Sequence, residues 1–593
     1  MSLIVIALVA FKAFFVIMFG MNVAVILTWA DRRYGAMLQD RVGPNRAVVW
    51  LPTWLAQGLA LVPALLVSAV VLAWVATSEV HGMERTNRAI LFSQLAILMT
   101  WLTGLMIASR VQRRGARSSF DVFIRSIGDP RKFFFTGLFA HTFTLLVVAL
   151  FRDTPGFEMI RDFFYGGGAG VLVFAVLGGA LYAVWSLRKE KRVGLRLAGL
   201  LHPAADGVKS LFKEDFIPPN ADKLLHSLAP LISFFPALVV LAVVPFGDTL
   251  CFGLDQAGAL DLTKLQSVVP REGICADAPV RLQVLNLNVG ILYFFALAGT
   301  GIVGAALAGW ASDNKFSLMG GLRAASQMVS YEVTLGLTVV GALMVYGTLR
   351  LDEMIRWQAE NTWGIFVQPL AFFLFFAAAV AESKRIPFDI PEGESEIVAG
   401  YYTEYSGMKF AMFFFAEYVA VVTSSALMVA LFFGGWHLPF VFRDGIHVLF
   451  GDNAVFYQPL SHGLVVLLGF LAFIFKTIAL CLVQLTIRWT LPRFRYDQLM
   501  RLGWRKLLPV SLVNILVTGA VILAVQSGGP GVMNALRFAG DVTMGLVAVA
   551  GLIGLVSFVS FMVQPAKKRR LLATSSAKFA AALGGTRTAR MEA

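Results

Sequence analysis

Six carboxylates lie close together in one connecting segment of this chain. They are Glu382, Asp389, Glu392, Glu394, Glu396 and Glu404. Only Lys384 and Arg385 are present in the same segment to balance them. Crowded carboxylates resist simultaneous ionisation, so such a group can take up and release protons as its surroundings change. This acidic loop (residues 383–407, with Glu382 at its start) is therefore the strongest candidate for chemistry in the sequence.

The centre of the acidic loop, from Pro387 to Glu396, reads P-F-D-I-P-E-G-E-S-E. Its two prolines oppose helix continuation, and in an extended backbone alternate side chains point to the same side. If the stretch is extended, Glu392, Glu394 and Glu396 lie on one side and their carboxylates crowd together. The alternative is an ordinary solvated acidic turn.

The elements that must position this loop are membrane-spanning helices. Of 593 residues, 58% are hydrophobic and only 15% are charged. Many apolar runs are long enough to cross about 30 Å of hydrocarbon, where the backbone must be helical. The sequence thus predicts an all-α integral membrane protein, a polytopic bundle of about thirteen transmembrane helices. The predicted spans are roughly 3–30, 55–77, 89–109, 133–151, 168–187, 225–247, 286–310, 323–347, 365–382, 408–433, 462–487, 507–527 and 541–563.

The net charge of +14 is distributed unevenly between the two sides of this bundle. With the N-terminus outside and the C-terminus inside, the inside connections hold 35 of the 50 Lys and Arg residues, and the outside connections hold 11. This distribution obeys the positive-inside rule and explains the basic composition without nucleic-acid binding. The acidic loop is an inside connection that breaks the rule, so its charges must serve a purpose other than topology.

Four ionisable residues fall in the interior of predicted spans, away from their ends: Lys12, Glu332, Glu417 and Lys476. Each costs at least about 2.5–3.5 kcal/mol at the bilayer centre, so such side chains usually face a polar interior or a partner. One interpretation is a buried Glu–Lys pair that only fixes helix packing. The other is a connected polar path for protons, because two carboxylates stand on separate helices with the acidic loop between them.

The three cysteines, Cys251, Cys275 and Cys481, show no C-x-x-C spacing. They offer no ligand set for zinc or for an iron–sulfur cluster, so we expect no metal site on this chain. Cys251 and Cys275 share one predicted outside connection, which makes a disulfide between them a hypothesis.

Two inside segments carry basic residues in a distinctive order. Gln39–Arg46 reads Q-D-R-V-G-P-N-R, and Ala205–Asp215 reads A-D-G-V-K-S-L-F-K-E-D. In the second segment, helical spacing places Asp206 near Lys209 and Lys209 near Lys213, on one face of a short amphipathic stretch. That stretch is suited to lie in the membrane interface or under a partner protein.

Taken in order, these segments resemble the H subunits of respiratory NADH-quinone oxidoreductase, which correspond to chain 1 in mitochondria and belong to the membrane arm of complex I. The other matching strings are G-W-A-S-D-N-K-F-S-L-M-G-G-L-R-A-A-S-Q-M-V-S-Y-E from Gly309 to Glu332, A-E-S-K-R-I-P-F-D-I-P-E-G-E-S-E-I-V-A-G-Y-Y-T-E-Y-S-G-M-K-F from Ala381 to Phe410, A-E-Y from Ala416 to Tyr418, and L-P-R-F-R-Y-D-Q-L-M from Leu491 to Met500. The strings cover residues 1–47 and about 204–527, in family order and with family spacing.

The resemblance implies a cofactor-free component of a proton-translocating enzyme in the bacterial inner membrane. Such a component forms much of the quinone chamber, while NADH, FMN and the iron–sulfur clusters bind to partner subunits of the peripheral arm. The residues implied in proton coupling are Glu332, Glu382, Asp389, Glu392, Glu394, Glu396 and Glu417, with Arg385 balancing the loop. Those implied at the quinone entrance or docking surface are Gln39, Arg41, Arg46, Asp206, Lys209 and Lys213.

One large region departs from the family pattern. About 155 residues between Arg46 and Ala204 hold four predicted spans where the family has a short link. We therefore divide the chain into four parts: 1–47, the first span and entrance segment; 48–203, the insertion; 204–527, the family core; and 528–593, an extra span with a basic tail. Because four is an even number, the family segments keep their sidedness.

Two alternative functions remain open on the sequence alone. A homologous membrane component of a hydrogenase or formate hydrogenlyase complex would relay protons without quinone. A stand-alone ion transporter would also bury Glu and Lys side chains, although the chain shows no inverted pair of interrupted helices of the kind that marks many transporters.

Overall fold

The computed structural model describes residues 3–39, 44, 47, 49–52, 54–55, 192–195, 199–254, 260–266, 275, 278–450 and 453–563. The four predicted spans of the insertion, Arg41, Arg46 and the basic tail after Gln564 lie outside these residues. The count of thirteen spans and the orientation of the termini therefore remain predictions.

Long apolar helices dominate the described residues. They are α1 (Leu3–Leu38), α2 (Leu201–Phe212), α3 (Lys223–Val239), α4 (Gly290–Ala311), α5 (Lys315–Tyr346), α6 (Leu351–Glu360), α7 (Gly364–Val367), α8 (Pro369–Glu382), α9 (Glu394–Ile397), α10 (Gly407–Phe432), α11 (His462–Thr490), α12 (Tyr496–Leu502), α13 (Leu508–Ser527) and α14 (Gly529–Val563). Eight helical stretches within the described ranges are long and apolar enough to cross a membrane. The predicted helical membrane architecture is confirmed.

The span predicted at 365–382 is a broken helix. Gln368 separates α7 from α8 with a backbone conformation outside the helical region, and Pro369 begins α8. The 14 residues of α8 extend about 21 Å, which is less than the hydrocarbon thickness. The Gln368 side chain donates a hydrogen bond to the Thr518 hydroxyl of α13 at 2.9 Å. A buried polar contact with a neighbouring helix thus accompanies the interruption.

Short antiparallel sheets occur in the connections, and the all-α prediction did not anticipate them. Three small sheets are formed by β1 (Val49–Pro52) with β2 (Arg192–Leu195), by β3 (Leu250–Leu254), β4 (Leu260–Leu265) and β5 (Ala278–Val280), and by β6 (Val441–Phe442), β7 (Gly445–Phe450) and β8 (Asn453–Pro459). In the second sheet β3 is central, and in the third β7 is central. Unpaired backbone groups outside a helix need partners, and these ladders supply them.

The chain divides into two compact units. One comprises residues 1–38 and 206–555, and the other comprises 39–205 and 556–593. The acidic loop belongs to the first unit. In the second, β1 pairs with β2 in the register Val49 to Leu195. The four-part division made from the sequence remains a prediction.

The core of the first unit is built around α10. Its residues from Leu427 to Phe432 have no solvent exposure, and it packs against α1, α3, α6, α8 and α11. Because protein surrounds α10 on most sides, a charged residue on this helix is removed from lipid as well as from water. Glu417 is such a residue, with 5% of its surface exposed.

Candidate functional site

The acidic loop is coiled against the helices rather than extended. After Glu382 its backbone forms successive turns, then α9, then a 3-10 turn at Gly400–Tyr402 before α10 begins at Gly407. The extended backbone on which the grouping of Glu392, Glu394 and Glu396 depended is therefore not formed. The preceding helix ends at Glu382, before either proline, and the chain then turns back upon α5.

Gln327 of α5 holds the first half of this loop. Its Nε2 donates to the carbonyl oxygen of Ala381 at 2.7 Å and to that of Phe388 at 2.8 Å. The Gln327 side chain is fully buried. Each carbonyl belongs to the residue immediately before an acid, Glu382 or Asp389, so one amide group fixes the backbone next to both carboxylates.

Glu417 is the centre of the site. Arg385 Nη2 lies 3.1 Å from Glu417 Oε2. The Tyr402 hydroxyl donates to Glu417 Oε1, and the Tyr401 hydroxyl lies 3.3 Å from the same oxygen. The Arg385 guanidinium also stacks on the ring of Tyr418, 4.1 Å from its centroid. A carboxylate is tolerated in such a buried position because a cation and hydroxyl donors surround it.

Asp389 and Glu392 bring further negative charge towards Glu417. Asp389 is buried and accepts a hydrogen bond from Arg493 Nη2 at 2.8 Å. Burial raises the pKa of the Asp389 carboxyl to about 6, although Arg493 opposes the shift. Burial, reinforced by the carboxylates of Glu417 and Asp389, raises the pKa of Glu392 well above its usual value. Both groups therefore hold protons more readily than exposed carboxylates do.

Lys384 lies on the other side of the tyrosines, beside a cavity. Its ammonium donates to the Tyr401 hydroxyl at 3.3 Å. Burial lowers the pKa of Lys384, while the nearby carboxylates, above all Glu417, oppose that shift. The cavity is lined by Glu382, Lys384, Tyr401 and Glu417, with apolar walls from α3, α4, α5 and α10.

Glu332, the second carboxylate predicted within a span, lies between α5 and α4. A Cβ atom added at Gly299 of α4 would come within 2.6 Å of Glu332 Oε1, so the glycine leaves the room that the acid occupies. Glu332 follows Gln327 by five residues on α5, in the same unit as the acidic loop.

Glu392 and Glu396, which an extended loop would place side by side, lie in different surroundings. Glu396 turns outward and pairs with Arg323 of α5 at 2.7 Å, with half of its side chain exposed. Glu394 begins α9, and its side chain lies outside the described residues. The carboxylates that approach one another are instead Asp389, Glu392 and Glu417, because the coil turns alternate residues to different environments.

Three of the predicted docking residues, Asp206, Lys209 and Lys213, follow one another along α2 and the residue after it, whereas Arg41 and Arg46 lie outside the described residues. The Asp206 carboxylate of α2 forms an ion pair with Arg32 of α1, with 2.6 Å between Oδ2 and Nη1. Lys209 and Lys213 are exposed, as is Gln39 at the end of α1. The amphipathic stretch predicted here is the helix α2, whose apolar side chains Val208, Leu211 and Phe212 are also exposed.

The buried Glu–Lys pair considered from the sequence is not formed by Lys476. Its ammonium donates to three carbonyl oxygens, of Phe433 at 2.8 Å, Gly435 at 3.0 Å and His437 at 2.6 Å. It also lies 4.3 Å from the ring centroid of Trp363. These carbonyls follow the C-terminus of α10, where a cation is favoured by the helix dipole. Lys12 is partly buried on α1.

Sequence reasoning missed a polar contact between α1, α10 and α11. Asp31 accepts hydrogen bonds from the Tyr418 hydroxyl at 2.9 Å and from Trp489 Nε1 at 2.8 Å, and it pairs with Arg488. Tyr418 in turn carries Arg385 on its ring. The available signal was the acid at the inner end of the first predicted span. The tyrosines of the G-Y-Y-T-E-Y string were likewise overlooked.

Another part of the described chain, near the start of β3, has a separate charge cluster. Asp248 accepts from Arg443 Nε at 2.5 Å and Nη2 at 2.8 Å, and it lies 3.6 Å from Arg356. Burial favours a higher pKa for Asp248, but the guanidiniums outweigh it, so the pKa is lowered. The disulfide suggested by the sequence, Cys251–Cys275, is present in the same region.

Chemically, the site around Glu417 can store and move protons. Its polar groups are carboxylates, phenols, an amine and guanidiniums. Within the described ranges, His, Cys, Asp and Glu side chains form no group of three that could hold a metal ion.

Comparison with known proteins assigns this arrangement to a family. A family model described as NADH dehydrogenase matches residues 169–519. Among NADH-quinone oxidoreductase H subunits, the chain is similar to the one numbered 1 of Cytophaga hutchinsonii, with 41% identity over 352 residues, or 58% of this chain and 92% of the relative. It is similar to the one numbered 2 of Geobacter metallireducens, with 43% identity over 360 residues, or 59% of this chain and 93% of the relative. The corresponding protein of Flavobacterium psychrophilum is 41% identical over 353 residues, or 58% of this chain and 92% of the relative.

Proposed function

This chain belongs to the NADH dehydrogenase family of NADH-quinone oxidoreductase H subunits, and we propose that it forms much of the quinone chamber of a proton-pumping complex I. In this role the chain couples the reduction of quinone to the translocation of protons. Electrons come from NADH through FMN and iron–sulfur clusters on partner subunits, and the chain itself contributes binding surface and charge.

The observation that carries this proposal is the buried cluster beside the cavity. Asp389, Glu392 and Glu417 lie near one another with Arg385, and burial raises the pKa of the first two. Reduction of a quinone by two electrons consumes two protons, so negative charge develops until protons arrive. Titratable carboxylates close to that charge respond by changing their own protonation.

We propose that this response reaches the membrane through carboxylates on the surrounding helices. Glu382 at the end of α8 lines the cavity, Glu417 lies on α10, and Glu332 lies on α5. These three join the acidic loop to the interior of the helix bundle. Arg385 balances the loop by pairing with Glu417, and the outward Glu396 contributes less than Glu392.

The remaining sequence-based assignments follow from the same role. Asp206, Lys209, Lys213 and Gln39, together with Arg41 and Arg46, would border the quinone entrance or the surface under the peripheral arm. The partners would be the quinone-module subunits of that arm and adjacent membrane-arm subunits, in the inner membrane of a bacterium with the N-terminus outside. Quinone is the substrate, and the lipid bilayer surrounds the helices.

Isolation of the intact assembly tests the proposal. A tag on this chain in its native host, followed by mild detergent extraction, should recover flavin and iron–sulfur proteins together with NADH-dependent reduction of added ubiquinone-1 or menaquinone-1. The same preparation in liposomes should acidify the compartment opposite the NADH site. A chain that elutes alone and moves ions in liposomes without NADH would refute the proposal, and recovery with a hydrogenase in place of flavoprotein would do so as well.

A further inference from the structure

Two adjacent tyrosines join Lys384 to Glu417 in an unbroken series of hydrogen bonds. Lys384 Nζ donates to the Tyr401 hydroxyl at 3.3 Å, and that hydroxyl donates to the Tyr402 hydroxyl at 2.6 Å. The Tyr402 hydroxyl donates to Glu417 Oε1. Every donor in the series points towards Glu417, so the bonds are ordered in one direction.

Packing fixes both phenol rings in this arrangement. Tyr401 is 1% exposed and Tyr402 is 4% exposed. Their centroids lie 4.1 Å apart, and each ring meets Phe413 of α10 edge-on, at 5.5 and 5.7 Å. The 3-10 turn at Gly400–Tyr402 places them, and Gly400 has a φ of 57°, in the left-handed region. Preorganised geometry of this kind keeps the hydroxyls in contact without reordering during a transfer.

The protonation state of the phenols suits a relay. Burial, followed by the nearby carboxylate of Glu417, raises the pKa of both Tyr401 and Tyr402 well above the usual value. Each hydroxyl therefore keeps its proton at rest, and a protonated hydroxyl both donates and accepts. An arginine at the same place could only donate, and a phenylalanine could do neither.

The series begins at a group that borders the cavity. Lys384, Glu382, Tyr401 and Glu417 all line this cavity, so the series joins two of its charged groups through the protein. Arg385 occupies the Oε2 side of the Glu417 carboxylate. The two hydroxyls approach its Oε1 side, where a proton from Lys384 would arrive.

Resting on the proposed function, we infer that Tyr401 and Tyr402 carry protons between Lys384 and Glu417. In one transfer, the Lys384 ammonium gives a proton to the Tyr401 oxygen, the original Tyr401 hydroxyl proton passes to Tyr402, and the Tyr402 hydroxyl proton passes to Glu417. Both phenols end neutral, Lys384 becomes a neutral amine, and Glu417 becomes a carboxylic acid. Return of a proton to Lys384 from the Glu382 side of the cavity resets the series.

Removal of single hydroxyl groups tests the link with little change in packing. Tyr401→Phe keeps the ring against Phe413 but removes the hydroxyl that Lys384 contacts, so it interrupts the series. Tyr402→Phe also keeps its ring in place and leaves only the longer contact, 3.3 Å, between the Tyr401 hydroxyl and Glu417 Oε1. Tyr405→Phe is the matched control, because Tyr405 is also buried and packs on Phe413, but its hydroxyl is not in the series. The variants should be assembled in the whole complex and compared in inverted membrane vesicles for NADH:quinone turnover, proton uptake and the solvent deuterium isotope effect.

We expect turnover coupled to proton uptake to fall roughly tenfold in Tyr401→Phe, the scale of a lost proton-transfer group, with an increased isotope effect. The same changes should be smaller in Tyr402→Phe, because the Tyr401 hydroxyl still lies 3.3 Å from Glu417 Oε1. Tyr402→His, which retains a group that donates and accepts, should recover part of the rate, and Tyr405→Phe should behave as wild type. A loss without a changed isotope effect and without recovery by histidine would assign the tyrosines a purely structural role and overturn the inference.

Glu417→Gln, measured beside them, separates failure of this inference from failure of the proposed function. If both phenylalanine variants couple normally while Glu417→Gln does not, the tyrosine link is wrong and the proposed function stands. If Glu417→Gln also pumps normally, the proposed role of Glu417 fails together with the link.

Discussion

Arg385 and Glu417 form a buried ion pair, with 3.1 Å between Nη2 and Oε2. One residue belongs to the acidic loop and the other to the central helix α10, so the pair ties the loop to the core. Loss of one partner from such a pair leaves an uncompensated buried charge. Protonation of the carboxylate would therefore loosen the attachment of the loop to the core.

Glu332→Gln and Glu417→Gln should each lower proton uptake per NADH oxidised while the protein still assembles. Glutamine keeps the shape of the side chain but cannot release a proton, so the loss should reach about tenfold or more. Proton uptake and NADH oxidation in inverted vesicles are the measurements. Glu360→Gln, at the exposed end of α6, is the control and should be unchanged. Normal uptake in both test variants would refute the carboxylate path.

Glu392→Gln should impair quinone reduction far more than Glu396→Gln. Glu392 lies near Asp389 and Glu417, whereas Glu396 makes an exposed ion pair with Arg323 that is worth at most about 1 kcal/mol. Steady-state NADH:quinone turnover of the two single variants, normalised to assembled complex, is the measurement. Equal effects would contradict the separation of these two carboxylates. Normal turnover in a triple Glu392, Glu394 and Glu396 variant would refute a role for these carboxylates in quinone reduction.

Titration of Asp389 should lower the free energy of unfolding of the protein as the pH rises from about 4 to about 6. Its pKa is about 6 in the folded state against a usual 3.8, so between these values the folded state holds a proton that the unfolded state lacks. The free energy of unfolding then decreases from about pH 4 to about pH 6, by up to roughly 3 kcal/mol. Asp389→Asn should remove this component from the pH dependence of thermal unfolding of the purified assembly.

Arg493→Met provides the complementary test of the same carboxyl group. Loss of the guanidinium raises the Asp389 pKa further, so the decrease should continue above pH 6. Arg493→Lys retains the charge and should resemble wild type. An unchanged pH dependence in both Asp389→Asn and Arg493→Met would show that this carboxyl is not the titrating group.

Gln327→Leu should lower both stability and quinone reduction. The change removes the side-chain donor from both carbonyls, and it leaves the Ala381 carbonyl only its 3.3 Å bond from the Lys384 backbone N–H. Loss of the donor to the buried Phe388 carbonyl costs about 1–3 kcal/mol, and the backbone beside two acids is less constrained. Gln358→Leu is the matched control, because Gln358 holds the Ala430 carbonyl in the same way at the other end of α10. The temperature of thermal unfolding should fall in both variants. Turnover per assembled complex should fall only in Gln327→Leu. Equal turnover would contradict the positioning role.

The Cys251–Cys275 disulfide allows the orientation of the chain to be measured. If the N-terminus is outside, this connection faces the oxidising side of the membrane. A membrane-impermeant maleimide should label these cysteines in spheroplasts only after reduction, while buried Cys481 stays unlabelled. Labelling that appears only in inverted vesicles would reverse the predicted topology.

The sequence predicted which residues lie in the polar region, but not how they pair. Glu332 and Glu417 could be placed because apolar runs define depth in the membrane. Their neighbours depend on how the acidic loop folds, and prolines exclude a helix without setting the direction of the turn that follows. Glu396 was therefore grouped with Glu392, although a single turn of α9 separates their environments.

Lys476 shows a second limit of residue-type reasoning. A buried lysine suggests a carboxylate partner, but the acceptors here are backbone carbonyls, which every residue possesses and no sequence pattern marks. Gln327 is similar, because its partners are again main-chain oxygens. Sequence motifs show where charged side chains are, whereas their hydrogen bonds to main-chain carbonyls can be identified only once the fold is known.

The three bonds from Lys476 also limit how α10 can move. Sliding this helix along its axis would break charge-assisted contacts worth about 1.5–3 kcal/mol each. The C-terminal end of α10 is thus held in place, whereas its N-terminal half carries Glu417 beside the acidic loop. We therefore expect any movement of α10 during turnover to be a bending or unwinding near Gly407, and not a translation of the whole helix along its axis.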